Sequence, residues 1–151
     1  MIIIGSAKGN GYGSQPSNYE SWKDQFQNEL SEDYDSTRVH FLGTIPYESY
    51  IGICSRSIAH VYISYPFVLS WSVLELMYLG IPIIANDIQM NREVSANMEN
   101  GILYDYHSST SLCEGIIDMI DNAPLREQLG ANARNFILTN YQQHQCSKKL
   151  L

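Results

Sequence analysis

Short, uninterrupted apolar runs alternate with segments of helical period along this chain, and few folds accept that order. The runs are Met1–Ile4, Arg38–Leu42, Ser57–Ile63, Ile81–Ala85 and Ile102–Tyr104. Between and after them lie Asn18–Leu30, Tyr47–Arg56, Ser70–Leu79, Asn91–Ala96, Thr110–Ile120 and Pro124–Leu138, whose apolar residues recur at helical spacing; Trp22, Phe26 and Leu30 stand at i, i+4 and i+8. A strand apolar at every position is covered on both faces, and helices between successive strands make those strands parallel. The expected fold is therefore α/β, a Rossmann-like, doubly wound parallel sheet of about five strands. In such sheets ligands bind beyond the carboxyl ends of the strands. The loops after Ile4, Leu42, Ile63, Ala85 and Tyr104 then share one rim. Residues 1–141 make one domain in this reading, and 142–151 a polar tail. Met1–Ile4 is expected to be a buried strand; chains seldom begin inside one, which points to a domain cut from a longer protein.

Composition narrows the function. At 151 residues, 44% hydrophobic and 17% charged, the chain suits one folded domain with its own core. Sixteen acids against nine Lys and Arg, a net charge of −7, exclude a broad nucleic-acid surface. Contact with a polyanion has to be local and made by backbone amides. The cysteines at 54, 113 and 146 are spaced for neither a zinc knuckle nor a disulfide framework, which fits a reducing, cytoplasmic setting. No apolar run approaches the ~18–20 residues of a membrane span. His40, His60, His107 and His144 show no metal-ligand spacing, and no Gly-x-Ser-x-Gly elbow occurs.

The segment Tyr65–Ala85 carries the chemistry. A loop opens a helix at Ser70, Gly80 stops it, and Ile81–Ala85 forms a strand. A helix start beside a strand end offers unpaired amides and a favourable dipole to a phosphate. Glu75 lies one turn inside. A carboxylate there can bind ribose hydroxyls beside a pyrophosphate, or it can reach back to the Ser72 amide in a capping box, since Ser72-Val-Leu-Glu75 has that spacing. The residues alone leave both open. Ser70 and Ser72 are both candidate N-caps. Asn91-Arg92-Glu93 is either a helix start with an acid in its first turn or a site element. The glycines at 5, 9, 11 and 13 fail the dinucleotide fingerprint, because Gly-x-Gly-x-x-Gly from Gly9 meets Ser14. They read as a surface loop or a flexible rim.

As an ensemble the motifs are specific. Phe41-Leu-Gly-Thr-Ile-Pro-Tyr-Glu-Ser-Tyr50, Ser57–Ser64, Tyr65–Ala85, Arg92-Glu93-Val94, Asn100-Gly101-Ile-Leu and Ala133-Arg134 together resemble the C-terminal, nucleotide-sugar-binding half of GT-B glycosyltransferases. The resemblance is to the retaining family 4, or group 1, and to a bacterial subgroup within it. It spans about Ile2 to Tyr141. Leu74-Glu75-Leu-Met-Tyr-Leu-Gly80 fits the family's donor-site helix, which implies that Glu75 holds the ribose. It implies also that amides from Ser70 through Trp71 and Ser72 to Val73 face the pyrophosphate, and that Thr44 and Ile45 line the base. The family's pattern is Glu-x7-Glu. Here the first position is Phe67, so the sugar contact must differ, with backbone groups of Val68, Leu69 and Ser70 as substitutes. The family's Arg/Lys pair, which stabilises the diphosphate leaving group, falls upstream of this segment; Lys8 does not match its context, and the catalytic residues stay unassigned.

The resemblance thus implies a parent enzyme that moves a hexose from a nucleotide diphosphate sugar, a UDP-sugar by preference, to a glycan or lipid-linked acceptor with retention. It implies no metal or other cofactor. It implies an N-terminal acceptor-binding domain as partner, cell-envelope polysaccharide synthesis as context, and membrane contact through that other domain. This fragment is then expected to bind donor without turnover. A nucleotide-sugar epimerase would need acids or bases that no convincing set supplies. A non-catalytic nucleotide-binding module remains the reading from a different class. A phosphoacceptor receiver lacks its acidic pair after the first strand.

Overall fold

The computed structural model describes residues 1–7, 14–66 and 68–141. Lys8, Gly9, Gly11, Gly13, Phe67 and the tail with His144 and Cys146 lie outside them. The elements follow the expected order: β1 (Ile2–Ile4), α1 (Trp22–Glu29), β2 (His40–Gly43), α2 (Tyr47–Cys54), β3 (His60–Tyr62), α3 (Trp71–Tyr78), β4 (Ile83–Asn86), α4 (Gln89–Arg92), β5 (Ile102–Tyr104), α5 (Ser109–Asp121) and α6 (Ala123–Asn140). Every strand pair is parallel, as a Rossmann-like α/β fold requires. The ladders join β1 to β2, and β3 to β4 to β5. The chain divides into two compact units, Met1–Gly52 and Ile53–Leu151, and each is described by itself.

In the first unit β1 and β2 pair from Ile2–His40 to Ile4–Gly43, with a register shift between Ile3 and Ile4. The expectation of a buried first strand is not met: Ile2 is 50% and Ile3 37% exposed, and β2 is the one strand that pairs with β1 among the described residues. Helix α1 starts later than Asn18. Ser21 is its cap, accepting from the Asp24 amide at 3.2 Å, and this Ser-x-x-Asp signal outweighs the periodicity upstream of it. Trp22 and Phe26 do share a face, their rings stacked at 5.8 Å. That face is not buried; with Ile3, Val39 and Phe41 it lines a groove of about 780 Å³.

The second unit is the better packed. All four β4 residues are buried, so both faces of this central strand are covered. Ile84, Ile102, Tyr104, Met119 and Leu129 form one core cluster, drawn from β4, β5, α5 and α6. On α3 the inward residues are Val73, Leu76 and Met77. The helix ends in a Schellman motif: the Gly80 amide donates to Met77 O at 2.9 Å, and the Ile81 amide to Leu76 O at 3.0 Å. Gly80 takes φ +77, the left-handed conformation this stop demands. Because the Ile81 amide is committed backwards and Pro82 has none, β4 starts at Ile83 rather than Ile81.

Two further expectations shift. β3 is His60–Tyr62, not Ser57–Ile63; the Ser57 amide closes α2 through Cys54 O, and Ile63 is exposed. Asn91 does not start a helix. It lies inside α4, buried, with its side chain donating to Asn86 O at 2.8 Å, so Glu93 is a C-cap instead of a first-turn acid. Ahead of β5 Met98 takes a positive φ of 61. Asn100 is itself buried, accepting from the Ala96 amide and donating to Val94 O.

Candidate functional site

The segment from Ile63 to Glu75 leaves the carboxyl end of β3 and enters α3. Ser70 is the N-cap, extended at φ −77 and ψ 140. Its hydroxyl accepts from the Ser72 amide at 3.3 Å and lies 2.8 Å from the Ser72 hydroxyl. The Val73 amide donates to Ser70 O at 3.2 Å. Two of the amides expected to face a phosphate, those of Ser72 and Val73, are thus used in the first turn. The Val73 side chain belongs to the core at 1% exposure.

This cap bears on one of the two roles open to Glu75, the capping box. With Ser70 as N-cap, the capping-box position three residues on is Val73, and Glu75 lies beyond it. The expected Ser72–Glu75 box is not formed, since Ser72 is inside the helix. Glu75 is half-buried. It shares a face with Trp71 at i−4 and Tyr78 at i+3, both exposed, while Val73, Leu76 and Met77 point inward. The carboxylate therefore stands on the outer face of α3, one turn from its start, and cap formation does not explain it.

Of the other candidates, Val68 is exposed, Leu69 and Ser72 are half-buried, and Trp71 is 79% exposed. Phe67 lies outside the described residues. Thr44 and Ile45 follow β2 in the first unit, the former exposed and the latter half-buried. Val68 to Glu75 are brought together by chain continuity in the second unit.

Asn86 is not among the residues that the sequence singled out. It is the last residue of β4 and has no solvent exposure. Its side chain accepts from the Ser64 amide at 3.0 Å and donates to Ser64 O at 2.7 Å, fixing the start of the candidate loop. The available signal was an amide closing an apolar run, Ile-Ile-Ala-Asn, where a strand meets its rim. Beside it Arg92 Nη2 donates to Asp87 Oδ2 at 2.8 Å on the surface. The hydrogen bond from Arg92 holds the Asp87 carboxyl below the usual carboxylate range, and Asp87 in turn raises the Arg92 guanidinium. Among the described residues no group of three or more His, Cys, Asp or Glu is placed to hold a metal, and no helix is long and apolar enough to cross a membrane.

Known proteins share the fold of this chain. The model of the glycosyl transferases group 1 family matches residues 1–136. The chain is 34% identical over 113 residues to the uncharacterised glycosyltransferase MJ1069 of Methanocaldococcus jannaschii, across 74% of this chain and 29% of that protein. Among solved structures, HepE of Anabaena in complex with UDP-glucose matches 99% of this chain and 40% of its own, at 18% identity and a TM-score of 0.80. Sucrose-phosphate synthase of Thermosynechococcus elongatus matches 99% of this chain and 36% of its own, at 20% identity and a TM-score of 0.75. The C-terminal domain of LpcC, a group 1 family glycosyl transferase of Francisella tularensis, matches 81% of this chain and 63% of its own, at 20% identity and a TM-score of 0.68. At these identities the structural likeness is one of fold. The chain spans less than a third of the archaeal relative's length. By the family match over nine-tenths of its length, this chain belongs to the glycosyl transferases group 1 family.

Proposed function

We propose that this chain is the donor-binding domain of a retaining GT-B glycosyltransferase of family 4, from its bacterial subgroup. The intact enzyme moves a hexose from a nucleotide diphosphate sugar to a glycan or lipid-linked acceptor, and UDP is the favoured nucleotide. Glu75 holds the ribose hydroxyls. The start of α3 around Ser70 and Trp71 faces the pyrophosphate, helped by the helix dipole. Val68, Leu69 and Ser70 make the sugar contact that the family's first glutamate makes elsewhere. Thr44 and Ile45 line the base. The chain needs no metal in this reading, because the helix start and cations outside this segment balance the diphosphate charge. The acceptor domain lies in the remainder of the enzyme, which works in the cytoplasm on envelope glycans. This fragment binds donor without turning it over.

One observation carries the reading: Glu75, half-buried, lies one turn inside a capped helix, off the capping-box position and on the face of the exposed Trp71 and Tyr78. Membership of a transferase family supports it and disfavours the epimerase alternative. Calorimetric titration with UDP, GDP and ADP tests it, on this chain and on the intact protein, each with and without Glu75→Ala. The expected result is binding of one nucleotide, UDP first, weakened by at least ~1 kcal/mol when the carboxylate is removed. Equal affinity in wild type and variant would sink the assignment of Glu75. Binding by neither protein would sink the donor reading.

A further inference from the structure

We propose that Asn86 is a positioning residue for the donor site, a side-chain clamp that holds the loop leading into α3; the proposal rests on the donor-binding reading above. On its β3 side the β4 ladder ends at Ala85, paired with Tyr62. One residue later the chains part, β3 turning into the loop and β4 continuing beside β5, where Asn86 pairs with Tyr104. The Asn86 side chain fills the gap. A carboxamide offers the same donor and acceptor as a peptide group, and here it takes both backbone groups of Ser64, accepting at 3.0 Å and donating at 2.7 Å. It prolongs the sheet by one step from a side chain.

The orientation of the amide is itself fixed. Asn91, 2% exposed, donates from Nδ2 to Asn86 O at 2.8 Å and to Asn86 Oδ1 at 3.3 Å. Asn86 Oδ1 therefore faces two donors, and Nδ2 faces a carbonyl. Turning the amide over would set N–H against N–H at Ser64. Among its described residues the loop has few buried side chains to order it. No described residue from Ile63 to Leu69 is buried, and Ile63, Tyr65 and Val68 are 64%, 79% and 69% exposed. Where few described side chains are buried, polar contacts carry more of the ordering. Asn86 makes two of these at the point where the loop leaves the sheet. A loop held before the ligand arrives binds more tightly, because less freedom is lost on binding.

Asn86→Asp keeps the size and the acceptor facing the Ser64 amide, but sets a second acceptor against Ser64 O. Asn86→Ala removes both contacts. Hydrogen–deuterium exchange of the intact protein is read in peptides covering 63–70 and, as an internal control, 125–137 of α6. UDP affinity is measured alongside. For Asn86→Asp the expected result is faster exchange in 63–70, unchanged exchange in 125–137, and UDP binding about tenfold weaker. Asn86→Ala should show the same pattern in exchange. Unchanged exchange in 63–70 overturns the clamp. Equal acceleration in both regions reduces Asn86 to general stability. A loosened loop with unaltered UDP affinity overturns the positioning role. If wild type binds no nucleotide, the donor reading fails and takes this role with it, while the exchange data still decide whether Asn86 holds the loop.

Discussion

Gly130 of α6 passes so close to the end of α3 that a Cβ there would stand 2.3 Å from the Gly80 carbonyl oxygen and 3.2 Å from its carbon. The obstacle is backbone, which a side-chain rotation cannot clear. Gly130→Ala should cost about 1–2 kcal/mol, overpacking outweighing the better helix propensity of alanine, and a urea titration measures it. Gly80 and Gly130 also differ in how visible they were. Gly80 ends a run of helical period, and its role in stopping α3 follows from local sequence. Gly130 sits inside a helix, and its need for glycine arises from a contact with a residue distant along the chain. Glu75 is an intermediate case. Its type and spacing named two roles, and only the position of the cap showed that one of them, the capping box, is not formed.

At the scale of the element, α3 shows how narrowly a helix start is decided. Ser70 and Ser72 were equal candidates by type. The structure gives the cap to Ser70, whose hydroxyl takes the Ser72 amide. Ser70→Ala should therefore destabilise by about 1 kcal/mol, whereas Ser72→Ala should stay within about 0.5 kcal/mol. Thermal or urea unfolding of the pair separates them, and a larger loss at Ser72 would contradict the assignment. The same competition moved the starts of α1 and α4. Periodicity located both segments, but Ser21 capped one and the commitment of Asn91 to Asn86 displaced the other. Element type and order were legible because apolar spacing differs between strand and helix. Element ends were less so, because they turn on single hydrogen bonds.

At the scale of the molecule, proton uptake ties stability to pH through β3. Burial of His60 disfavours its charged form and lowers its pKa from the ordinary 6.5. Above that value the side chain is neutral whether the protein is folded or unfolded, and this contribution is flat. As pH falls below about 6.5 the unfolded chain takes up the proton first. Stability is then lost until the pH passes the lower, folded value. His60→Gln should flatten the fall in unfolding free energy just below pH 6.5, measured as the difference from wild type in matched urea titrations. An unchanged slope would show that His60 is not the group responsible. Asp87, lowered by its hydrogen bond with Arg92, acts with the same sign in a separate, more acidic window. Its contribution is present above the ordinary carboxylate value and is lost as pH falls through the folded one.

The alternation of apolar runs with helical segments determined the class of this protein, because strands joined through helices pair in parallel and parallel strands need such crossovers. The motif ensemble determined the family, and the Leu74–Gly80 pattern drew attention to Glu75. The tertiary structure decided what depends on neighbours far along the chain. It left the first strand and the apolar face of α1 exposed, where the sequence pattern implied burial. It placed a glycine of α6 against the end of α3. It made a strand-terminal asparagine the holder of a loop twenty-two residues earlier. Local spacing encodes which face of an element is apolar; only packing determines what that face meets, and which polar side chain is left to complete a backbone that the sheet no longer pairs.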